Sequence, residues 1–269
     1  MNVVFWSYLP GVSSVSSSML AMSLSTAIKH KIKCSVMQLQ YSHNYLQEYL
    51  IDSRDNTEDS YFQNMGIDYL MRAAHSNTAN EENVNDFSLS FIDQYFNYFP
   101  RTSAVDERVY KNDLTESSEE MFKVLNDGFK LNFIDVPAGV NHYSKIAMAN
   151  ADVIVVCLPQ SKPIIDAYFN EIDLARDKTF YLFTEYDPKQ KLLLSNICKQ
   201  HKATISEKNC GVVPYNTRYG DALSTHHAIS FYYQNLKCKM SDPNNSFISK
   251  VNASAGKLIK LCGLTGMEE

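Results

Sequence analysis

The sequence predicts an α/β fold, a mostly parallel sheet with helices on both faces. Short apolar runs rich in β-branched and aromatic residues alternate with stretches of helical periodicity. The crossovers between these runs are long enough for right-handed βαβ units. Two of the runs end in loops, Gly11–Ser18 and Val136–Gly139, of the kind that place polar groups at the carboxyl edge of a parallel sheet, where α/β folds build ligand sites.

The predicted strands are Val3–Ser7, Cys34–Leu39, Leu131–Val136, Val153–Leu158, Thr179–Phe183 and Ala203–Ser206. Helical patterns fall near Val15–Lys31, Glu119–Asn126, His142–Asn150, Ile164–Ala175 and Pro188–Gln200. Between Asp52 and Asp113 the rhythm breaks. An acidic loop (Asp52, Asp55, Glu58, Asp59) precedes a helix marked by Phe62, Met65, Tyr69 and Ala73. A second helix is expected with Val84, Phe87, Phe91, Tyr95 and Phe99 on one face, stopped by Pro100, although Phe87-Ser88-Leu89-Ser90-Phe91 also alternates like a strand. We read residues 52–113 as a helical insertion on the sheet edge within a single domain spanning 1–269. Phe247, Val251, Ala255, Leu258 and Cys262 share one face of a final helix, whose pattern suits packing on the domain better than a membrane surface.

A chain of 269 residues is long enough for one large α/β domain. Its 45% hydrophobic and 20% charged residues are those of an ordinary globular protein, not a disordered one. The start has no basic n-region, and its apolar run is broken by Pro10 and serines, which argues against a signal peptide. No stretch reads as a transmembrane span. Six cysteines are scattered without a C-x-x-C pair, so the expected compartment is reducing cytoplasm, with Cys157 a small buried thiol. A net charge of −5 disfavours a nucleic-acid partner. Five lysines between Asn235 and Leu261 (Lys237, Lys239, Lys250, Lys257, Lys260) read as a solvated face.

The strongest motif is Gly11-Val12-Ser13-Ser14-Val15-Ser16-Ser17-Ser18, between an apolar strand and a helix. A phosphate-binding loop requires that placement, because the backbone N–H groups at a helix N-terminus form an anion site. Over the pattern G-K-G-G-x-G-K followed by Ser or Thr, Gly11 matches the first glycine, Val15 the spacer and Ser18 the metal-binding hydroxyl. Val12 and Ser17 stand where the two lysines belong, and Ser13, Ser14 and Ser16 where glycines belong. The second motif is Phe133-Ile134-Asp135-Val136-Pro137-Ala138-Gly139. Its strand-ending carboxylate is placed to hold Mg²⁺ or an attacking water; alone, it would read as a helix cap or turn aspartate. His43, His226 and His227 lack the spacing of a ligand set, and Ser16–Ser18 has no His/Asp partner pattern for a nucleophile. The aromatics between Tyr61 and Tyr110 suit packing better than base stacking.

These motifs, followed by Ala151-Asp152-Val153-Ile154-Val155-Val156 and Val212-Val213-Pro214-Tyr215-Asn216, resemble the ParA/MinD group of deviant P-loop ATPases over nearly the whole chain outside the insertion. The resemblance implies a P-loop NTPase fold, ATP or ADP with Mg²⁺ as cofactor, and a homodimer with nucleotide at its interface. It also implies a protein partner belonging to a localised machine. By position, Ser18 and Asp135 correspond to the metal site, and Asp135 is the candidate catalytic residue. Gly11, Ser13, Ser14, Ser16, Ser17 and Ser18 correspond to the phosphate loop, and Pro214 and Asn216 to the loop beside the adenine.

The departures bear on activity. The lost lysines would stabilise charge developing in phosphoryl transfer, where one such contact contributes about 3 kcal/mol. Met37-Gln38-Leu39-Gln40 offers amides where the family shows an aspartate, and an amide is no general base. Thr184 falls near the family's base-reading asparagine. The expected function is therefore a positioning or scaffold protein with a degenerate loop, at most weakly hydrolytic, serving a pilus, secretion or conjugation apparatus, as in degenerate pilus-assembly relatives such as TadZ. Two alternatives remain open: an active ATPase in plasmid or chromosome partitioning, and a nucleotide-free dimeric interaction protein.

Overall fold

Strand β1 (Asn2–Trp6) is buried along its length, with Val3 and Phe5 in the core on one face and Val4 and Trp6 in the core on the other. A strand apolar on both sides belongs in the middle of a covered sheet. The computed structural model describes residues 1–42, 45–52 and 65–265. Among these, β1 pairs in parallel with β5 (Leu131–Asp135) and β6 (Val153–Pro159). The sheet continues through β2 (Cys34–Gln38), β7 (Thr179–Tyr186) and β8 (Cys210–Pro214). With β3 (Leu89–Phe91) and β4 (Phe96–Tyr98), the order is β3-β4-β2-β5-β1-β6-β7-β8. Only β3, against β4, runs antiparallel.

One face is covered by α1 (Val15–Ile28), α2 (Tyr45–Leu50), α8 (Thr217–Ser224), α9 (Ala228–Asn235) and α10 (Asn245–Leu261). The other carries α3 (Ile67–His75), α4 (Glu107–Gly128), α5 (His142–Ala149), α6 (Lys162–Glu171) and α7 (Leu194–Gln200). Every residue of α1 from Ser18 onward is buried, so its inner polar side chains bond locally or to α10. Thr26 donates to Met22 O at 2.9 Å and Ser25 to Asn252 Oδ1 at 2.7 Å. Phe247, Val251, Ala255, Leu258 and Cys262 are all buried in the same core, so the last helix packs on the domain as its spacing predicts. Among the described residues no helix is long and apolar enough to cross a membrane.

The structure corrects several local expectations. The second insertion helix is absent: Val84–Phe87 makes one 3-10 turn, and β3 and β4 follow as a hairpin whose second strand extends the sheet beside β2. The strand-like alternation prevails because Phe96 and Tyr98 can be buried only against that sheet. The hairpin turn has Ile92, Asp93 and Gln94 at φ of 57°, 48° and 69°. The buried face of α3 is Ile67, Leu70, Met71 and Ala74, one residue out of phase with the expected Tyr69 and Ala73; Phe62 lies outside the described residues. Ala203–Ser206 is not a strand, and the edge strand is β8, within the motif ending at Asn216. Helix α7 begins at Leu194 instead of Pro188, and α4 starts at Glu107, well before the expected Glu119, and ends at Gly128, so Asp113 lies inside it.

Candidate functional site

Parallel strands deliver their following loops to one edge of the sheet. Beyond β1 the chain turns through Gly11, at φ +72° with open space around its α-carbon. Ser13 is buried, and Ser14 adopts a left-handed conformation (φ 40°, ψ 48°) immediately before α1. Ser16, Ser17 and Ser18 form the first turn of the helix, with Ser18 N donating to Ser14 O at 3.0 Å. Ser14 makes no side-chain cap to the helix; its hydroxyl donates instead to Glu185 Oε1 at 2.6 Å.

Strand β5 lies between β1 and β2, so its last residue, Asp135, arrives beneath this loop in register with Gln38. Asp135 is 3% exposed. Ser16 Oγ and Gln38 Nε2 both donate to Asp135 Oδ2, the latter at 2.7 Å. Burial pushes the Asp135 carboxyl up to about 7, against the opposing effect of these two hydrogen bonds. Gln38 Oε1 is buried without a partner. Cys157, on β6, is likewise pushed well up by burial, with the nearby Asp135 charge adding to the effect.

Gly11, Ser13, Ser14, Ser16, Ser17 and Asp135 line one cleft of about 470 Å³, with Tyr45 and Tyr49 of α2 on its flank. None of the described lining residues is Lys, Arg or His. Ser18 does not line the cleft; it is buried within α1. Pro214 and Asn216 line a second cleft of about 430 Å³ with Glu185, Lys189 and Tyr215. There the Asn216 side chain caps α8, accepting from Tyr219 N at 2.8 Å, and donates to Asn244 Oδ1 at 3.1 Å. The two clefts are joined by the Ser14–Glu185 bond and by Tyr219, whose hydroxyl donates to Ser17 O at 2.9 Å.

Glu185 and Tyr219 carry no sequence signal: one is an exposed strand-end acid and the other an aromatic on a short helix, and only the fold brings them to the loop. Thr184 is buried and bonds Leu158 O at 3.4 Å, so it does not face either cleft. His226 sits in a turn at φ 60° and His227 precedes α9; neither lines the loop cleft, and His43 lies outside the described residues. Among the described residues no three His, Cys, Asp or Glu side chains gather as a metal site.

The site can be tested against a magnesium nucleotide. The course of the loop, the N–H groups opening α1 and a carboxylate at the neighbouring strand end fit the position of the phosphates. The donor set does not fit their charge. The described cleft wall offers no cation, burial raises the Asp135 carboxyl toward neutrality, and Ser18 is buried without lining the cleft.

A parallel sheet with a glycine-led loop between its first strand and first helix, and an aspartate ending the adjacent strand, defines the P-loop class of α/β fold. Its particular form here is that of the ParA and MinD ATPases. A ParA family ATPase from Chlorobium tepidum TLS superposes with a TM-score of 0.68 at 12% identity, covering 94% of this chain and 98% of that one. MinD from Pyrococcus horikoshii OT3, complexed with Mg-ADP, gives 0.64 at 12% identity, covering 98% of each chain. The Aquifex aeolicus MinC:MinD cell division protein complex gives 0.60 at 13% identity, covering 100% of this chain and 98% of that one. No protein-family model and no curated protein matches the sequence.

Proposed function

We propose that this chain is a cytoplasmic positioning or scaffold protein on the ParA/MinD fold, acting by binding and assembly without ATP turnover, and that it localises a machine such as a pilus, secretion or conjugation apparatus. The observation that carries this reading is the cleft wall: the loop keeps its backbone course, while every described side chain around it is neutral or acidic. Phosphoryl transfer depends on positioned positive charge, so the loop is suited to holding shape and contacts, not to breaking a phosphoanhydride.

The same edge is fringed with apolar side chains. Val12 is 37% exposed, Val140 70% and Tyr215 65%, and they follow β1, β5 and β8 respectively. Exposed apolar groups on one edge support an interaction surface there. A relative of the same fold is found as a MinC:MinD complex, which supports a protein partner for this fold. We assign that edge to a homodimer.

The test combines mass measurement with phosphate release. Wild type should dimerise without nucleotide, Val140→Glu should weaken the dimer at least tenfold, and Mg-ATP should release phosphate at background. A wild-type monomer at high concentration in both conditions would remove the dimer. Turnover near about 1 per second would restore the ATPase reading.

A further inference from the structure

Cys198 on α7 and Cys210 at the start of β8 place their Sγ atoms 3.7 Å apart, and both are free thiols. This is contact distance for two sulfurs, and a disulfide needs them at about 2.05 Å. The remaining gap is one that side-chain rotation and a small shift of α7 can close. Helix α7 has seven residues and a single fully buried side chain, Ile197, so little opposes that shift. The other partner is fixed. Ser254 of α10 bonds both Val212 N at 2.8 Å and Val212 O at 2.9 Å, and Lys257 Nζ donates to Cys210 O at 3.3 Å.

We propose that Cys198 and Cys210 form a dithiol that closes to an intramolecular disulfide, with a low-molecular-weight disulfide such as oxidised glutathione as electron acceptor. Cys198 is half-buried and reachable from solution, whereas Cys210 is buried. Burial, reinforced by the adjacent Cys198, pushes the Cys210 thiol up to about 12, with the Lys257 ammonium opposing. Cys198 therefore attacks first. Its thiolate forms a mixed disulfide with one sulfur of the acceptor and expels one thiolate, which takes up the proton Cys198 lost. Cys210 then gives up its proton and attacks Cys198 Sγ, expelling the second small thiol. Two protein thiols lose two electrons and two protons, and one small disulfide becomes two thiols.

The bond would have a structural consequence. The segment carrying Glu185–Gln190 leads into α7, and β8 leads out into Pro214–Asn216; both line the second cleft. A covalent link between α7 and β8 fixes two walls of that cleft relative to each other. This inference stands on the thiol geometry and does not depend on the proposed function.

The experiment uses the full-length protein in glutathione buffers of rising oxidised fraction, quenched with an alkylating agent and read by intact mass and peptide mapping. Wild type should lose two hydrogens without a retained glutathione, yield a Cys198–Cys210 cross-linked peptide, and revert with reductant. The other four cysteines, Cys34, Cys157, Cys238 and Cys262, should alkylate fully once the protein is unfolded. Cys210→Ser should trap glutathione on Cys198, and Cys198→Ser should leave Cys210 unmodified, so the half-exposed variant serves even if the buried one misfolds. Hydrogen exchange should slow across residues 194–216 on oxidation. Six alkylated cysteines in strongly oxidised buffer, a stable glutathione adduct on wild-type Cys198, or a cross-link between another pair would each overturn the proposal.

Discussion

Replacing Asp135 with Asn should stabilise the protein above neutral pH and lose that effect in acid. Asp135 ends a fully buried strand, and the side chains that donate to its carboxylate, Ser16 and Gln38, are neutral. Those bonds favour its charged form, but burial prevails and raises the carboxyl from 3.8 to about 7. Between these values the folded protein binds more protons than the unfolded chain, so this group's contribution to stability falls as pH rises through that window and stays low above it. A rise of about three pH units at about 1.4 kcal/mol per unit gives a cost of about 4 kcal/mol near pH 8. Asn keeps a carbonyl that accepts from Ser16 and Gln38 without carrying charge. Weaker bonds to the neutral acceptor take back part of the gain, leaving roughly 2 kcal/mol, or about 5 °C in Tm. Urea and thermal melts of both proteins from about pH 4 to about pH 8 would show the difference, which should shrink below about 1 kcal/mol at the acid end. Equal differences at both ends, or a less stable Asn variant at the alkaline end, would refute the reasoning.

Two further predictions concern the scaffold. Ser254→Ala should cost about 2 kcal/mol and speed hydrogen exchange at Val212, because it removes both side-chain bonds to that residue's backbone on edge strand β8; unchanged exchange would assign the strand's protection elsewhere. Gly66→Ala should destabilise by roughly 1–3 kcal/mol in a denaturant melt, since Gly66 sits at φ +89° and an added Cβ would lie 2.7 Å from Pro100 O; a neutral result would mean the turn relaxes.

The parallel sheet was legible because strands such as Val153-Ile154-Val155-Val156 are apolar on both faces, a pattern few other environments tolerate. The loop and Asp135 were legible because their order along the chain fixes their meeting at one sheet edge. The β3–β4 hairpin is ambiguous in the sequence because Val84, Phe87, Phe91 and Tyr95 fit helical spacing as well as the strand alternation around Leu89, and only the edge offered by β2 decides between them. Edge strand β8 is hard to see in the sequence because it is short and runs directly into the turn of Pro214–Asn216. The resemblance puts Asn216 in the loop beside the adenine; in the fold its amide oxygen caps α8, so its reach toward any ligand is set by helix geometry.

The loop's shape has supports that involve no phosphate. Trp6 Nε1 donates to Gly139 O at 2.8 Å, and Gly139 N donates to Ser7 O at 2.8 Å, tying the end of β1 to the turn after β5. Tyr219 holds Ser17 O from α8, and Glu185 holds the hydroxyl of Ser14 from the end of β7. In a loop that cradles phosphates, the bound anion itself compensates the converging N–H groups. Here the hydroxyls of Ser14, Ser16 and Ser17 donate to Glu185, Asp135 and Ser14 O, so protein groups brace the same turn. That explains how both lysine positions can be occupied by Val12 and Ser17 while Gly11 and Ser14 keep their left-handed backbone. Gly11 takes its left-handed backbone at no steric cost, and the strain at Ser14 is held by hydrogen bonds around the same turn that reach β5, β7 and α8.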